Sequence, residues 1–170
     1  MKLIQNALNS ELFAETVSTI NSHSNEFCWK PNRFFWPEDL MDGMYGSVVV
    51  ALAPEEYNQK LIEDLEGVIP EFDELECLFC CFDRGSGIGV HSDNDQYKWT
   101  GTIYLNTDWN INYGGAFTWK PKDADYNFMW RTAIPEQNLL VINDENEEHM
   151  VTPVSPYAKE ERFTVQIWAK

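Results

Sequence analysis

From Leu75 onward the sequence is a run of short apolar segments cut by Gly, Pro, Asn and Asp, and this texture limits the folds open to it. Segments 75–82, 89–92, 101–105, 116–119, 128–133, 139–143, 149–154 and 162–168 read as strands. Strands at this spacing point to a sandwich or a barrel. The first 70 residues read as helical and irregular. Asn9 or Ser10 caps a predicted helix that runs to about Ile20, with Leu12, Phe13, Val17 and Ile20 on one stripe. Pro54 opens a second predicted helix, about 55–66, carrying Tyr57, Leu61, Ile62 and Leu65. Leu3 and Ile4 start a short strand, 47–52 is another, and 26–46 reads as an aromatic-rich loop. Helices first and strands after make an α+β, mainly β, arrangement. We expect one domain over 1–170, with 1–74 as helical support and 75–170 as the β-rich core.

Composition narrows the partners. A chain of 170 residues fits one domain and buries roughly two-thirds of its unfolded surface. Hydrophobic residues at 44% and aromatics at 14% exclude a disordered chain. Twelve bases against 28 acids leave a net charge of −16, which repels phosphate backbones and anionic membranes. No nucleic-acid or membrane partner is expected. Polar residues interrupt the apolar stretch at the start, so it does not read as a signal peptide. No run approaches the roughly 18 apolar residues that span a bilayer. Of Cys28, Cys77, Cys80 and Cys81, the pair Cys77 and Cys80 lies three apart on one predicted strand, facing opposite sides. They cannot readily share a metal there. Reduced cysteines packed as small hydrophobes suit a cytoplasmic protein.

Three histidines are present, His23, His91 and His149. His91 and Asp93 stand two apart, so on an extended strand they project from one face while Ser92 points away. One imidazole and one carboxylate can then meet one ion. His149 begins a late strand that a barrel or sandwich could bring beside them. Two His and one carboxylate on one face of an octahedron is the ligand set of non-haem Fe(II) oxygenases, with three positions left open. The other readings are a solvated loop for the His-x-Asp triple and a surface histidine after the acidic run 144–148.

Arg162 and Thr164 share a face of the last strand with Gln166 and Trp168, while Phe163, Val165 and Ile167 take the other. An Arg inside a small barrel needs an anion, because an unpaired buried charge is costly. A ligand carboxylate can supply it through a bidentate fork, with the Thr hydroxyl adding a bond. An internal Asp or Glu can supply it too.

The order His91-x-Asp93, His149, Arg162-x-Thr164 resembles the iron(II)- and 2-oxoglutarate-dependent dioxygenases, and within them the prolyl 4-hydroxylase-like branch. Phe82-Asp-Arg-Gly85-Ser-Gly-Ile88-Gly-Val-His91-Ser-Asp93 follows that branch's spacing. Tyr104-Leu105-Asn106, Gly114-Gly115, Asn138 to Ile142, His149-Met-Val-Thr-Pro153-Val154 and Trp168 are similar to its later segments. The likeness is detailed over about 75–170. Phe82 stands where the branch often has Tyr, Arg162 where collagen-type enzymes have Lys, and Thr164 where Ser is common. The nucleic-acid demethylase branch has a second Arg six residues after the first; here that position is Trp168.

The resemblance implies a double-stranded β-helix, or jelly-roll, with N-terminal helices on one sheet. It implies Fe(II) on His91, Asp93 and His149, and 2-oxoglutarate held by Arg162 and Thr164, with Thr100 beside them. It further implies O2 as co-reactant, ascorbate as an accessory reductant, and succinate and CO2 as products. The expected reaction is hydroxylation of a C–H bond on a peptide or protein, as in prolyl hydroxylases. The alternatives are a hydroxylase of a free amino acid or other small molecule, and a non-catalytic metal-binding jelly-roll module. Tyr97, Trp99, Trp109, Tyr113, Trp119 and Trp130 flank the predicted site strands. Trp99, Trp109 and Tyr113 are the candidate substrate contacts, packing between sheets being the other role open to each. Loops 83–89 and 108–115 read as lids or as ordinary turns. The protein is expected as a monomer or homodimer.

Overall fold

The computed structural model describes residues 1–21, 29–36, 38–93, 96–122, 129–144 and 146–170. Cys28 and His23 lie outside them. In chain order the elements are β1 (Lys2–Ile4), α1 (Ser10–Asn21), β2 (Lys30–Pro31), α2 (Glu38–Asp42), β3 (Met44–Tyr45), β4 (Val48–Leu52) and α3 (Glu55–Asp64). There follow β5 (Leu75–Phe82), β6 (Gly87–His91), β7 (Trp99–Tyr104), β8 (Phe117–Trp119), β9 (Arg131–Ala133), β10 (Leu140–Asn143), β11 (His149–Val151) and β12 (Arg162–Ala169). Two antiparallel sheets result. One has seven strands in the order β1-β10-β7-β12-β5-β4-β2, the other five in the order β3-β6-β11-β8-β9.

Side-chain alternation divides the larger sheet into two chemistries. On its outer face Cys77, Phe79, Ile103, Leu140, Ile142, Val165, Ile167 and Ala169 pack against Leu12, Phe13 and Ile20 of α1 and Tyr57 and Leu61 of α3. On its inner face stand Thr100, Thr102, Arg162, Thr164 and Gln166, next to Leu78, Cys80 and Phe82. Asn9 caps α1: its Oδ1 accepts from the amides of Glu11 and Leu12, both at 2.9 Å. Among the described residues no helix is long and apolar enough to cross a membrane.

The structure refines the sequence expectations locally. The segment expected as strand 149–154 is paired only to Val151; Pro153 has no amide to donate, and Val154 meets Gly114 in an isolated bridge. Residues 29–46, expected as loop, contain β2, α2, β3 and a single-turn helix at Asn32–Phe34. These pieces are too short to carry a periodicity. Both candidate lid loops are tied down in this conformation, as ordinary turns are. Arg84 donates to the carbonyls of Ala158 (2.7 Å) and Lys159 (2.9 Å) and to Glu161 (2.9 Å). In the second loop Trp109 Nε1 donates to Gly114 O at 2.9 Å, and Ser155 N donates to Tyr113 O at 2.7 Å.

Gly114 and Gly115 both have positive φ, at 66° and 64°. A Cβ on Gly114 would collide with the Pro153 carbonyl oxygen, and one on Gly115 would come within 2.7 Å of Arg162 Cδ. Gly85 also has positive φ but faces open space. We therefore expect Gly114→Ala to lower the urea midpoint by more than Gly85→Ala. The backbone contribution is about 1–3 kcal/mol at a site of this kind, and the collision adds to it only at Gly114. Equal losses would remove the close approach as the reason for glycine there.

Candidate metal centre

His91 closes β6 and His149 opens the neighbouring β11, where the two are direct cross-strand partners. Their rings lie 4.2 Å apart, centroid to centroid. Asp93 follows β6 by two residues and comes within 3.7 Å of His149, Oδ1 to Nε2. One ligand atom from each of the three residues lies within 4.8 Å of the others. The sequence spacing and the fold thus bring the three together.

The hydrogen bonds around them select which atoms face the common point. His91 Nδ1 is 2.8 Å from the Gly89 carbonyl, and His149 Nδ1 is 2.9 Å from that of Glu147. A carbonyl only accepts, so each Nδ1 carries the proton and each Nε2 keeps its lone pair. Asp93 Oδ2 accepts from Thr100 Oγ1 at 2.6 Å and from Asn143 Nδ2 at 3.1 Å, which leaves Oδ1 for the ion. His149 is buried and stacks on Phe117 at 4.8 Å. Two imidazoles and one carboxylate, oriented in this way, fit a first-row divalent ion such as Fe(II).

Arg162 is 1% exposed and sits between two rings, 4.6 Å from the centroid of Phe82 and 5.0 Å from that of Tyr104. Among the described residues no carboxylate pairs with it, and its Nε has no hydrogen-bond partner. The internal Asp or Glu that would have met this charge is not seen. Tyr104 is also fully buried, and its hydroxyl lacks a hydrogen bond of good geometry. Burial raises its pKa, with Arg162 pulling the other way, so it stays a protonated donor. Thr164, one strand pair further along, stands against the Cys80 thiol, which burial pushes up to about 12.

A cavity between the sheets joins these two groups. His91, Asp93 and His149 line one part of it and Arg162 another, with Thr102 and Gln166 also on its wall. Past Trp36, Leu40 and Trp168 it meets an outer cleft of about 340 Å³ bordered by Phe34, Phe35, Gln96 and Tyr97. Tyr97 stacks on Trp168 at 5.8 Å and 14°.

The other residues singled out in the sequence are placed as follows in the fold. Thr100 lines the same cavity as Arg162, and its hydroxyl donates to Asp93 at 2.6 Å. Trp99 faces the helices and packs on Phe72 at 6.4 Å, because its neighbour Thr100 takes the inner face. Trp109 and Tyr113 pack on one another at 5.5 Å and join the apolar core between the sheets, away from the cleft beside the histidines. Trp119 is buried and Trp130 half-buried. Sequence reasoning gave no site role to Tyr104, Asn143, Gln166 or Trp36. Tyr104 and Gln166 were readable from strand parity, since each shares a face with an assigned residue, whereas Asn143 meets Thr100 only through the pairing of β10 with β7. Trp36 lay in a segment with no periodic signal.

Residues 77–170 match the sequence signature of the 2OG-Fe(II) oxygenase superfamily, and the chain belongs to it. Membership implies Fe(II) and 2-oxoglutarate. No curated protein matches the chain by sequence. Among solved structures it is similar to a Pseudomonas putida prolyl-4-hydroxylase, at 16% identity and TM-score 0.72, covering 99% of this chain and 91% of that one. It is also similar to a prolyl hydroxylase from Trichoplax adhaerens in complex with a hypoxia inducible factor oxygen degradation domain peptide fragment. There the identity is 20%, the TM-score 0.71, and coverage 99% and 82%. A viral collagen prolyl hydroxylase from Paramecium bursaria Chlorella virus-1, in a 2OG complex, gives 12%, 0.54, and 98% and 93%. At these identities the likeness concerns the fold, which is the double-stranded β-helix.

A buried arginine without a counter-charge opposes folding. Replacing Arg162 by Met is therefore expected to leave the melting temperature of the metal-free protein unchanged or higher. The same variant is expected to lose the upward shift that 2-oxoglutarate with Mn(II) gives the unmodified protein. A large loss of metal-free stability would mean that Arg162 has a protein partner.

Proposed function

We propose that this chain is an Fe(II)- and 2-oxoglutarate-dependent hydroxylase of a peptide or protein, acting on a residue of proline-like size and neutrality. The observation that carries it is the single cavity running from His91, Asp93 and His149 to an unpaired, buried Arg162. Bound iron would activate O2 for oxidative decarboxylation of 2-oxoglutarate and oxygen transfer to a C–H bond, with succinate and CO2 as products.

This chain's own residues bind, orient and exclude water. His91, Asp93 and His149 would hold the ion through Nε2, Oδ1 and Nε2. Arg162 would take the distal carboxylate of the dicarboxylate, with the Tyr104 hydroxyl donating beside it and Thr164 further along the strand. Phe82 offers no hydroxyl, and Tyr104 brings one to the same guanidinium from the adjoining strand. Trp36, Leu40 and Trp168 form the apolar neck between cleft and cavity, which keeps bulk water from the reacting centre.

The outer cleft favours a peptide over a free amino acid. Its lining carries no Lys or Arg. The segments outside the described residues contain none in their sequence either. A free amino acid would bring a carboxylate for which the lining itself offers no cation, Arg33 standing behind the rim on Phe34. A residue inside a peptide brings neither terminal charge, and the Tyr97–Trp168 stack offers a flat apolar wall for its ring. The peptide held by the Trichoplax adhaerens enzyme supports the same reading.

The test supplies Fe(II), ascorbate, oxygen and 2-oxoglutarate, with proline-containing peptides in one arm and free amino acids in the other. Expected are succinate and one added oxygen on a peptide, with His91→Ala inactive. Oxygen added to free amino acids alone would overturn the substrate reading. Metal binding with no succinate in either arm would favour the non-catalytic module. Trp168→Ala should raise the peptide KM by about tenfold, the range for one aromatic contact, and change the 2-oxoglutarate KM less.

A further inference from the structure

All three candidate metal ligands come from the five-stranded sheet or its extension, whereas the groups that aim Asp93 come from the seven-stranded sheet. Asn143, the last residue of β10, is paired across the ladder with Thr100 of β7. It is 4% exposed. Its Oδ1 accepts from the Glu147 amide at 2.9 Å, which fixes the orientation of the side-chain amide, since a backbone N–H cannot face the NH2 end. Nδ2 is thereby turned to Asp93 Oδ2 at 3.1 Å. The residue it holds at the other end, Glu147, is the one whose carbonyl receives His149 Nδ1 at 2.9 Å.

From this geometry we propose that Asn143 is a positioning residue for the metal site, coupling the Asp93 carboxylate to the turn that orients His149. The inference rests on the metal-site reading above and extends it to a residue that touches no open coordination position. One amide spans two ligands, and a side chain with a single polar atom cannot do both. Donation from Nδ2, with that from Thr100, occupies Oδ2 and leaves Oδ1 pointing inward. Acceptance by Oδ1 closes the turn 143–147 so that the Glu147 carbonyl stands where the imidazole needs it. Without Asn143, Asp93 keeps only the Thr100 bond, and the Glu147 amide is buried without an acceptor.

The test is Co(II) binding to the whole chain without oxygen or cosubstrate, read from the visible absorption of the bound ion. The unmodified protein should bind with a spectrum that His91→Ala abolishes. If it does not bind, the metal-site reading fails and this inference with it. Given binding, Asn143→Ala should weaken Co(II) affinity about 10- to 100-fold, as removal of an outer-shell partner does. It should also shift the absorption bands while the metal-free protein remains folded by circular dichroism. Asn143→Ser, whose hydroxyl reaches one neighbour but not both, should fall between, and it carries the measurement if Asn143→Ala does not fold. Unchanged affinity and an unchanged spectrum in the folded variants would overturn the proposal.

Discussion

The seven-stranded sheet must serve two opposite environments at once, and the remaining architecture follows from how it does so. Along β12, alternate residues face α1 and α3 or face the interior between the sheets. The helix side is an unbroken apolar surface that supplies much of the driving force for folding. The other side can then afford hydroxyls, an amide and a charged guanidinium. A protein of this size has little stability to spare, and concentrating the apolar contacts on one face frees the other for chemistry.

Much of this was legible in the sequence because strand parity has only two outcomes. The reading of β12 as a strand puts Phe163 and Thr164 on opposite faces, and the charge and hydroxyls on one of them mark it as the inner face. The His-x-Asp spacing yields a shared face for the same reason. The substrate expectations at Trp99, Trp109 and Tyr113 rested on nearness in sequence to site strands, and the structure places Trp99 against the helices and the other two against the apolar core. Trp99 stands before the predicted strand 101–105, and the structure extends β7 back to include it, which turns it toward the helices. Trp109 and Tyr113 lie in a turn, where no period applies.

The cleft was illegible for a different reason. Trp36 and Leu40 come from residues 29–46, where strands of two residues and helices of three to five leave no pattern to read. Their placement depends on long-range contacts, such as Trp36 on Phe82 at 6.4 Å. The same holds for Asn143, whose two partners are distant along the chain or across a turn. Parity shows that it faces inward but not what it touches.

The metal ligands belong to one sheet and Arg162 to the other, on opposite walls of one cavity. A dicarboxylate bridging them would act as a cross-strut, tying the two sheets by a bond at each end. Filling the cavity would thus do more than supply a reactant. It would add a tie through the middle of the sandwich to the Thr100 and Asn143 bonds that already reach Asp93 across it, and loss of the strut after turnover would remove that tie again.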